Sequence, residues 1–380
     1  MKGIELPPRT EDFTADPVEL FFDLAYVLAF SQLVALLIAN PTWAEVGKVT
    51  LLFLLLWLPW QQLTWAANAV SGNGRGVRLI LLTATVASIP MASATSFAFG
   101  DGGPVFAVSL AVIMLLGFAI QALPGGHDDE NRRTIWRWIT PNVVAIALLV
   151  GGSFLPERAR LAVWLAVVAV VIGAMVAAGR GTWLVRTGHM AERHGLILII
   201  ALGEVIVAIG LPVLTVLRAG EGLPAATVLA LATSGVFACL LWWGYFDRPA
   251  PGLEHHGEGL RGGRERGRWV RNVYTWAHAP IVCGVIFAAA GLEEIALHPT
   301  DSVPTSFRLL LFGGLAMFAL GITTSIWTTF RVLPRERMVS AVALALLLGL
   351  GGGLPGVVLL LGVVVVMGAT LVAEHVRIER

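Results

Sequence analysis

Charge is scarce in this sequence. Only 13% of its 380 residues are Asp, Glu, Lys or Arg, against about 25% in ordinary soluble domains. Cysteine is scarcer: Cys239 and Cys283 each sit inside an apolar run, which excludes a disulfide-stapled scaffold and gives a structural disulfide no support. Net charge is nearly absent at +1, so neither nucleic acid nor another strongly charged partner is implied. The polar composition of disordered chains and the strict glycine period of collagen are missing as well. What is present is apolar. Hydrophobic residues make up 57% of the chain and the mean hydropathy is +0.79, more than one soluble core can enclose. The expected surroundings are a lipid bilayer.

The start, Met1 to Asp16, is polar and acidic, without the basic stretch and short apolar run of a cleaved signal peptide. It is read as a cytoplasmic segment, 1–17. A spanning helix takes about 20 mostly apolar residues. Such runs fall near 18–39, 46–67, 77–99, 104–123, 139–155, 160–179, 194–217, 225–246, 272–297, 307–330, 337–353 and 355–374. In hydrocarbon every backbone amide needs a partner within the protein, so long runs without strand alternation read as helices. The fold class is therefore an all-α integral membrane protein with about twelve transmembrane helices. The fifth, eleventh and twelfth are short or abutted, which leaves ten or eleven open. Basic residues favour twelve. With the N-terminus inside, only Lys48, Arg158, Arg160, Arg218 and Arg308 of the 26 basic residues fall outside; Arg180, Arg186 and Arg193 are among those counted inside. The positive-inside rule asks for this bias and puts both termini in the cytoplasm. The longest loop, 248–271, is rich in Gly, Pro and Arg and reads as a flexible cytoplasmic connection.

The halves resemble each other. Residues 167–178 match 362–373, and the same offset sets 142–148 on 337–343 and 78–97 on 273–292. Near the start of each half a smaller offset sets Asp23 on Glu204 and Trp60-Gln61-Gln62 on Leu241-Trp242-Trp243. This suggests two six-helix repeats, 18–180 and 181–380, the second carrying the 248–271 loop. An even number of helices per repeat makes the repeats parallel, a known transporter design.

Ionisable groups inside spans are costly and are functional candidates by default. Glu19 and Asp23 lie four apart and share a helix face. Asp16-Pro17-Val18-Glu19 also reads as a cap, a first-turn proline and a capping-box Glu. Asp23 lies deeper, beside Phe21-Phe22, and reads as a buried polar site. Glu204, eleven residues past Arg193, is placed near mid-bilayer by helical rise. His278 pairs with an acid, titrates near neutral pH or simply packs. Trp242 to Asp247, including Trp243 and Tyr245, reads as an interfacial aromatic belt; Trp60 to Asn68 is its counterpart in the first half. Glu293 and Glu294 are read as the exposed outer end of a helix or a cation-attracting vestibule. Glycines at 349–356 suit close helix packing. No metal-ligand spacing, phosphate loop, nucleophile signature or cofactor motif stands out, so an enzyme is the least favoured class.

The stretches VELFFDLAYVLAFSQL (18–33), ERHGLILIIALGEVIVAIG (192–210), LLWWGYFDR (240–248) and YTWAHAPIVCGVIFAAAGLEE (274–294) resemble the bacterial low temperature requirement A family across essentially the whole chain. The resemblance implies a multi-pass inner-membrane protein linked by name to growth in the cold. Its characteristic polar positions map onto Glu19, Asp23, Glu192, Arg193, His194, Glu204, Asp247, His278 and Glu293. In helix 2 the family's aromatic run is looser here, with Leu58-Pro59 inside it. Glu19 to Asp23 and Trp65 to Asn68 are also similar to the helix-1 and helix-2 motifs of six-helix-repeat potassium channels, which implies half a pore completed by a homodimer.

Three functions follow. The first is a secondary transporter or exporter of an unidentified solute, with Asp23 and Glu204 as proton or substrate sites and Glu19 and His278 beside them. The second is a dimeric cation channel. The third is a non-transporting membrane protein of cold or stress adaptation whose partner is the lipid bilayer.

Overall fold

The computed structural model describes residues 15–70, 74–122, 129–179, 181, 183–220 and 222–378. Most of the 1–17 segment, and the cations Lys2, Arg9, Arg180 and Arg380 counted above, lie outside the described residues. The α-helices are α1 (Pro17–Ala39), α2 (Trp43–Asn68), α3 (Arg75–Ala94), α4 (Gly103–Ala122), α5 (Asp129–Gly152), α6 (Glu157–Ala178), α7 (Thr187–Arg218), α8 (Ala225–Phe246), α9 (Pro249–Gly259), α10 (Gly263–Val270), α11 (His278–Leu297), α12 (Thr305–Phe330), α13 (Arg335–Leu350) and α14 (Gly356–Ile378). A π-helical stretch, Arg271–Ala277, joins α10 to α11.

Among the described residues, twelve helices are long and apolar enough to cross a membrane. Each of the twelve expected segments falls on one of them, and the chain is a multi-pass membrane protein. Its outer face is suited to lipid. On α13, Met338, Val342, Leu346 and Leu350 follow one another at single-turn spacing and all are exposed. Such a stripe has no favourable neighbour in water.

Two boundaries and one loop differ from expectation. α5 begins at Asp129 and α7 at Thr187, both earlier than hydropathy places them. The early turns of α7 are polar, and they are stable because their side chains find buried partners, described below. Segment 248–271 is not a loop: it forms α9 and α10. Proline at the first position of α9 gives up an amide that has no helical acceptor anyway. Trp269 of α10 is buried; its ring lies 5.4 Å from that of His256, and Gly257 leaves space that a Cβ would take from Trp269 and Thr187.

The chain divides into two compact units, each assembled from separate stretches. One holds the residues up to Leu33, Gly47–Ile197 and Glu254–Trp276; the other holds Val34–Val46, Leu198–Leu253 and the residues from Ala277 onward. In the first, α3 packs on α4, α5 on α6, and α4 on α5. Arg160 of α6 turns inward and donates to the carbonyls of Ala98 and Gly100, each at 2.7 Å, and of Leu155 at 3.1 Å. It satisfies carbonyls beyond the end of α3 that no helical amide can reach, so it does not act as a loop charge.

In the second unit α11 and α12 pack most closely. A Cβ added to Gly284 would strike the carbonyl oxygen of Gly314, one added to Gly314 would strike that of Gly284, and Gly291 and Gly321 meet backbone in the same way. Small residues let the two backbones touch. The glycines at 349–356 fill this role only in part: Gly351–Gly353 form a 3-10 turn between α13 and α14 and Cβ atoms on Gly349 and Gly353 would meet nothing, while Gly356 packs on the side chains of Val303 and Ile295 without reaching backbone. Arg337 of α13 holds the bundle's other end. It reaches Glu374 of α14 at 2.7 and 3.1 Å and the Gly244 carbonyl of α8 at 2.9 Å.

Candidate functional site

Glu19 and Asp23 stand one turn apart on α1, and His189 and Arg193 stand one turn apart on α7. Equal spacing puts two acids on one helix face and two bases on another. The first unit brings these faces together out of contact with solvent: Glu19 and His189 are each 2% exposed, Arg193 1% and Asp23 0%. Arg193 grips Asp23 with both terminal nitrogens, Nη1 to Oδ2 at 2.7 Å and Nη2 to Oδ1 at 2.8 Å. This fork is the strongest form of a charge-assisted hydrogen bond. Trp60 Nε1 donates to Asp23 Oδ1 at 2.7 Å, and its ring lies under the guanidinium, 5.5 Å from the centroid. Arg193 Nε is also 3.4 Å from Glu19 Oε2. Arg193, counted above as an inner loop cation, is thus a buried ion-pair partner.

Glu19 does two jobs. Its Oε1 accepts from the Asp16 amide at 3.3 Å while Asp16 Oδ1 accepts from the Val18 amide at 3.1 Å, which is the expected start of α1. Both Glu19 oxygens also lie 3.1 Å from His189 Nε2. The His189 tautomer follows from its neighbours. Asn68 Oδ1 accepts from the Arg186 amide at 2.9 Å, so Asn68 Nδ2 is the donor to the Arg186 carbonyl at 2.8 Å and to His189 Nδ1 at 3.1 Å. An accepting Nδ1 leaves the proton on Nε2, aimed at Glu19. His189 is neutral in this arrangement. Glu192 sits at the rim and accepts from the Ala15 amide at 2.5 Å.

A second chain of hydrogen bonds runs beside the cluster. Trp65 Nε1 donates to Thr275 Oγ1 at 3.0 Å, and Thr275 Oγ1 donates to Gln61 Oε1 at 3.0 Å. Gln61 Nε2 donates to His194 Nε2 at 2.7 Å, and His194 Nδ1 donates to the Met190 carbonyl at 2.7 Å. The terminal carbonyl can only accept, so His194 carries its proton on Nδ1.

The family model described as bacterial low temperature requirement A protein matches residues 14–372. The chain belongs to the bacterial low temperature requirement A family. It is similar to the uncharacterized protein RA0937 of Rhizobium meliloti (strain 1021), 29% identical over 340 residues that cover 86% of this chain and 80% of that one. No solved structure matches.

In this low temperature requirement A protein, the sequence candidates fall into two groups. Glu19, Asp23, Asn68, Glu192, Arg193 and His194 belong to the first unit and are gathered there. Glu204, Trp243, Tyr245, Asp247, His278 and Glu293 belong to the second. Of these, Tyr245 and His278 are joined, hydroxyl to Nε2, at 2.7 Å, both fully enclosed. Glu204 is buried at 2% exposure. Trp243 is exposed at 54%, and Asp247 pairs with Arg248 at 3.5 Å. Glu293 is half-buried.

His189 and Thr275 were not singled out by sequence, and Trp60 and Gln61 were noted only as part of the repeated aromatic stretch of helix 2, not as partners of the acids. One signal for His189 was available. Its spacing to Arg193 repeats that of Glu19 to Asp23, with opposite sign.

Proposed function

We propose that this protein is a proton-coupled secondary transporter of the bacterial inner membrane, and that the Glu19–Asp23–Arg193–His189 cluster is its coupling site. The observation that carries the reading is a charge count. Two enclosed carboxylates share one guanidinium, Asp23 by hydrogen bonds and Glu19 as an ion pair, and the histidine that completes the cluster is a neutral donor. With both acids ionised the cluster holds one uncompensated negative charge away from water, a state that costs several kcal/mol by order of magnitude. One proton taken up by the pair balances it. A site that alternates between holding and releasing one proton is what coupled transport requires, and intramembrane acids commonly serve this role. In this reading the twelve helices form two parallel six-helix repeats with both termini cytoplasmic, which the sequence offsets and the bias of basic residues support.

The test is reconstitution in liposomes carrying an internal pH dye, with a panel of outward and inward solute gradients. Solute-dependent proton movement in the wild type, abolished in Asp23→Asn and Glu19→Gln, is the expected result. Potassium flux that needs a protonophore for charge balance would instead identify a channel. Folded wild-type protein that moves no protons under any gradient would overturn proton coupling.

A further inference from the structure

One cavity in the first unit lies apart from the acid cluster and has its own chemistry. Its volume is about 40 Å³, room for about three waters or a charged group of similar size, and it opens toward the surface. Trp65, Trp138 and Trp183 contribute aromatic walls, and Gln62, Gln121 and Arg271 contribute polar ones. Four buried polar atoms on these residues have no hydrogen-bond partner among the described residues: Gln62 Oε1, Gln121 Oε1, Trp138 Nε1 and Arg271 Nε. Gln62, Gln121 and Trp138 are only 3%, 4% and 4% exposed. Buried polar side-chain atoms are nearly always paired. Four unpaired ones around a single cavity mark a place built for something that pairs with them.

The atoms specify what that is. Gln62 Nε2 donates to the Met114 carbonyl at 2.8 Å, which fixes its amide and makes the unpaired Oε1 an acceptor. Gln121 Oε1 is a second acceptor. Two carbonyl oxygens call for a group with several N–H donors. Trp138 Nε1 can only donate. Arg271 has no acidic partner among the described residues; its one side-chain bond is to Asn272 Oδ1 at 3.4 Å. A free indole donor and an unneutralised guanidinium lining one cavity call for an anionic oxygen. Trp65 and Trp183 line the same cavity, and indole rings attract cations.

We propose that this cavity binds a small zwitterion in which a primary ammonium is joined to an anionic oxygen group, the ammonium on Gln62 and Gln121 and the anion on Arg271 and Trp138. An ethanolamine-phosphate lipid headgroup and a free amino acid share this chemistry. The assignment does not depend on proton coupling, because binding is measured without a gradient.

Gly179 supplies an indirect handle. Its backbone is right-handed helical, φ −68° and ψ −2°, so alanine fits the backbone. The methyl would nevertheless collide with Arg271 Nη1 and displace the guanidinium.

The experiment is calorimetric titration of the detergent-purified full chain with glycerophosphoethanolamine, glycine and glycerophosphocholine. Glycerophosphoethanolamine or glycine should bind, and glycerophosphocholine, which has no N–H, should bind about tenfold more weakly or worse. Tighter binding of glycerophosphoethanolamine assigns the site to a lipid headgroup; tighter binding of glycine assigns it to a free amino acid. Arg271→Gln, Trp138→Phe and Gly179→Ala should each weaken binding about tenfold, while monodisperse elution and wild-type helicity show that the fold persists. No binding of either primary ammonium at millimolar concentration overturns the proposal. So does equal binding of the choline compound, or unchanged affinity in folded variants.

Discussion

Replacing Arg193 by methionine keeps the volume of the side chain and removes its charge. The variant leaves Asp23 with only the Trp60 donor and takes the nearby cation from Glu19. Both carboxylates are too deeply enclosed for solvent to compensate them. Two hydrogen bonds to a charged group, at 2.7 and 2.8 Å, contribute about 1.5–3 kcal/mol each. Breaking one side of a buried pair typically costs about 3–5 kcal/mol. The expected loss for Arg193→Met is therefore about 4 kcal/mol. Asp23→Asn keeps an acceptor for Trp60 but turns an amide toward the guanidinium, and should cost about 2–3 kcal/mol. The double variant removes both charges of the pair and should cost little more than Arg193→Met alone, which gives a coupling energy of about 2 kcal/mol. Unfolding in mixed micelles by graded SDS, followed by far-ultraviolet circular dichroism, measures all three. Strict additivity, or an Arg193→Met variant within about 1 kcal/mol of wild type, would refute the reasoning and make the pair a bystander.

Three further outcomes follow from other contacts. Gly284→Ala drives a methyl into the Gly314 carbonyl, whereas a Cβ at Gly313 meets nothing; the first should cost about 1–3 kcal/mol in the same micelle assay and Gly313→Ala should be neutral or better. Arg337→Gln breaks a mostly buried pair and orphans the Gly244 carbonyl, so it should destabilise by about 3 kcal/mol. By contrast Arg377→Gln, in the more exposed pair with Glu336, should cost under about 1 kcal/mol. Thr275→Val removes the hydroxyl that links Trp65 to Gln61 and leaves Gln61 Oε1 without that donor, for an expected loss of about 1–3 kcal/mol and a shift in tryptophan emission.

The helices were legible because hydrocarbon imposes a single rule on them: twenty apolar residues and no exposed amide. That rule located all twelve spans but misjudged polar helix. The turn holding His189 and Arg193 looks like loop to hydropathy, and it is helix because Glu19 and Asp23 on another part of the chain receive it. Asp23 was legible as a buried site, since nothing excuses an aspartate among phenylalanines. Its partner was not, because an arginine at the end of an apolar run also satisfies the positive-inside bias. Segment 248–271 misled for a related reason. Glycine, proline and arginine describe a loop locally, but Trp269 gives the segment a buried anchor. The glycines at 349–356 show the converse error: spacing alone does not say what lies opposite a glycine, and Gly284 and Gly314 are close-packed only because they face each other.

The chain of bonds from Trp65 to Met190 has a fixed polarity. An indole N–H, which cannot accept, stands at one end, and a peptide carbonyl, which cannot donate, stands at the other. Hopping of a proton along such a row requires that every link can be turned round afterwards, and here both ends forbid it. The row is a brace and not a wire. A proton arriving on His194 Nε2 would meet the Gln61 amino group head on and break the row instead of passing through it. The proton exchange proposed above would therefore rest on the carboxylates of α1, of which Glu19 accepts from the amide of the partly exposed Asp16.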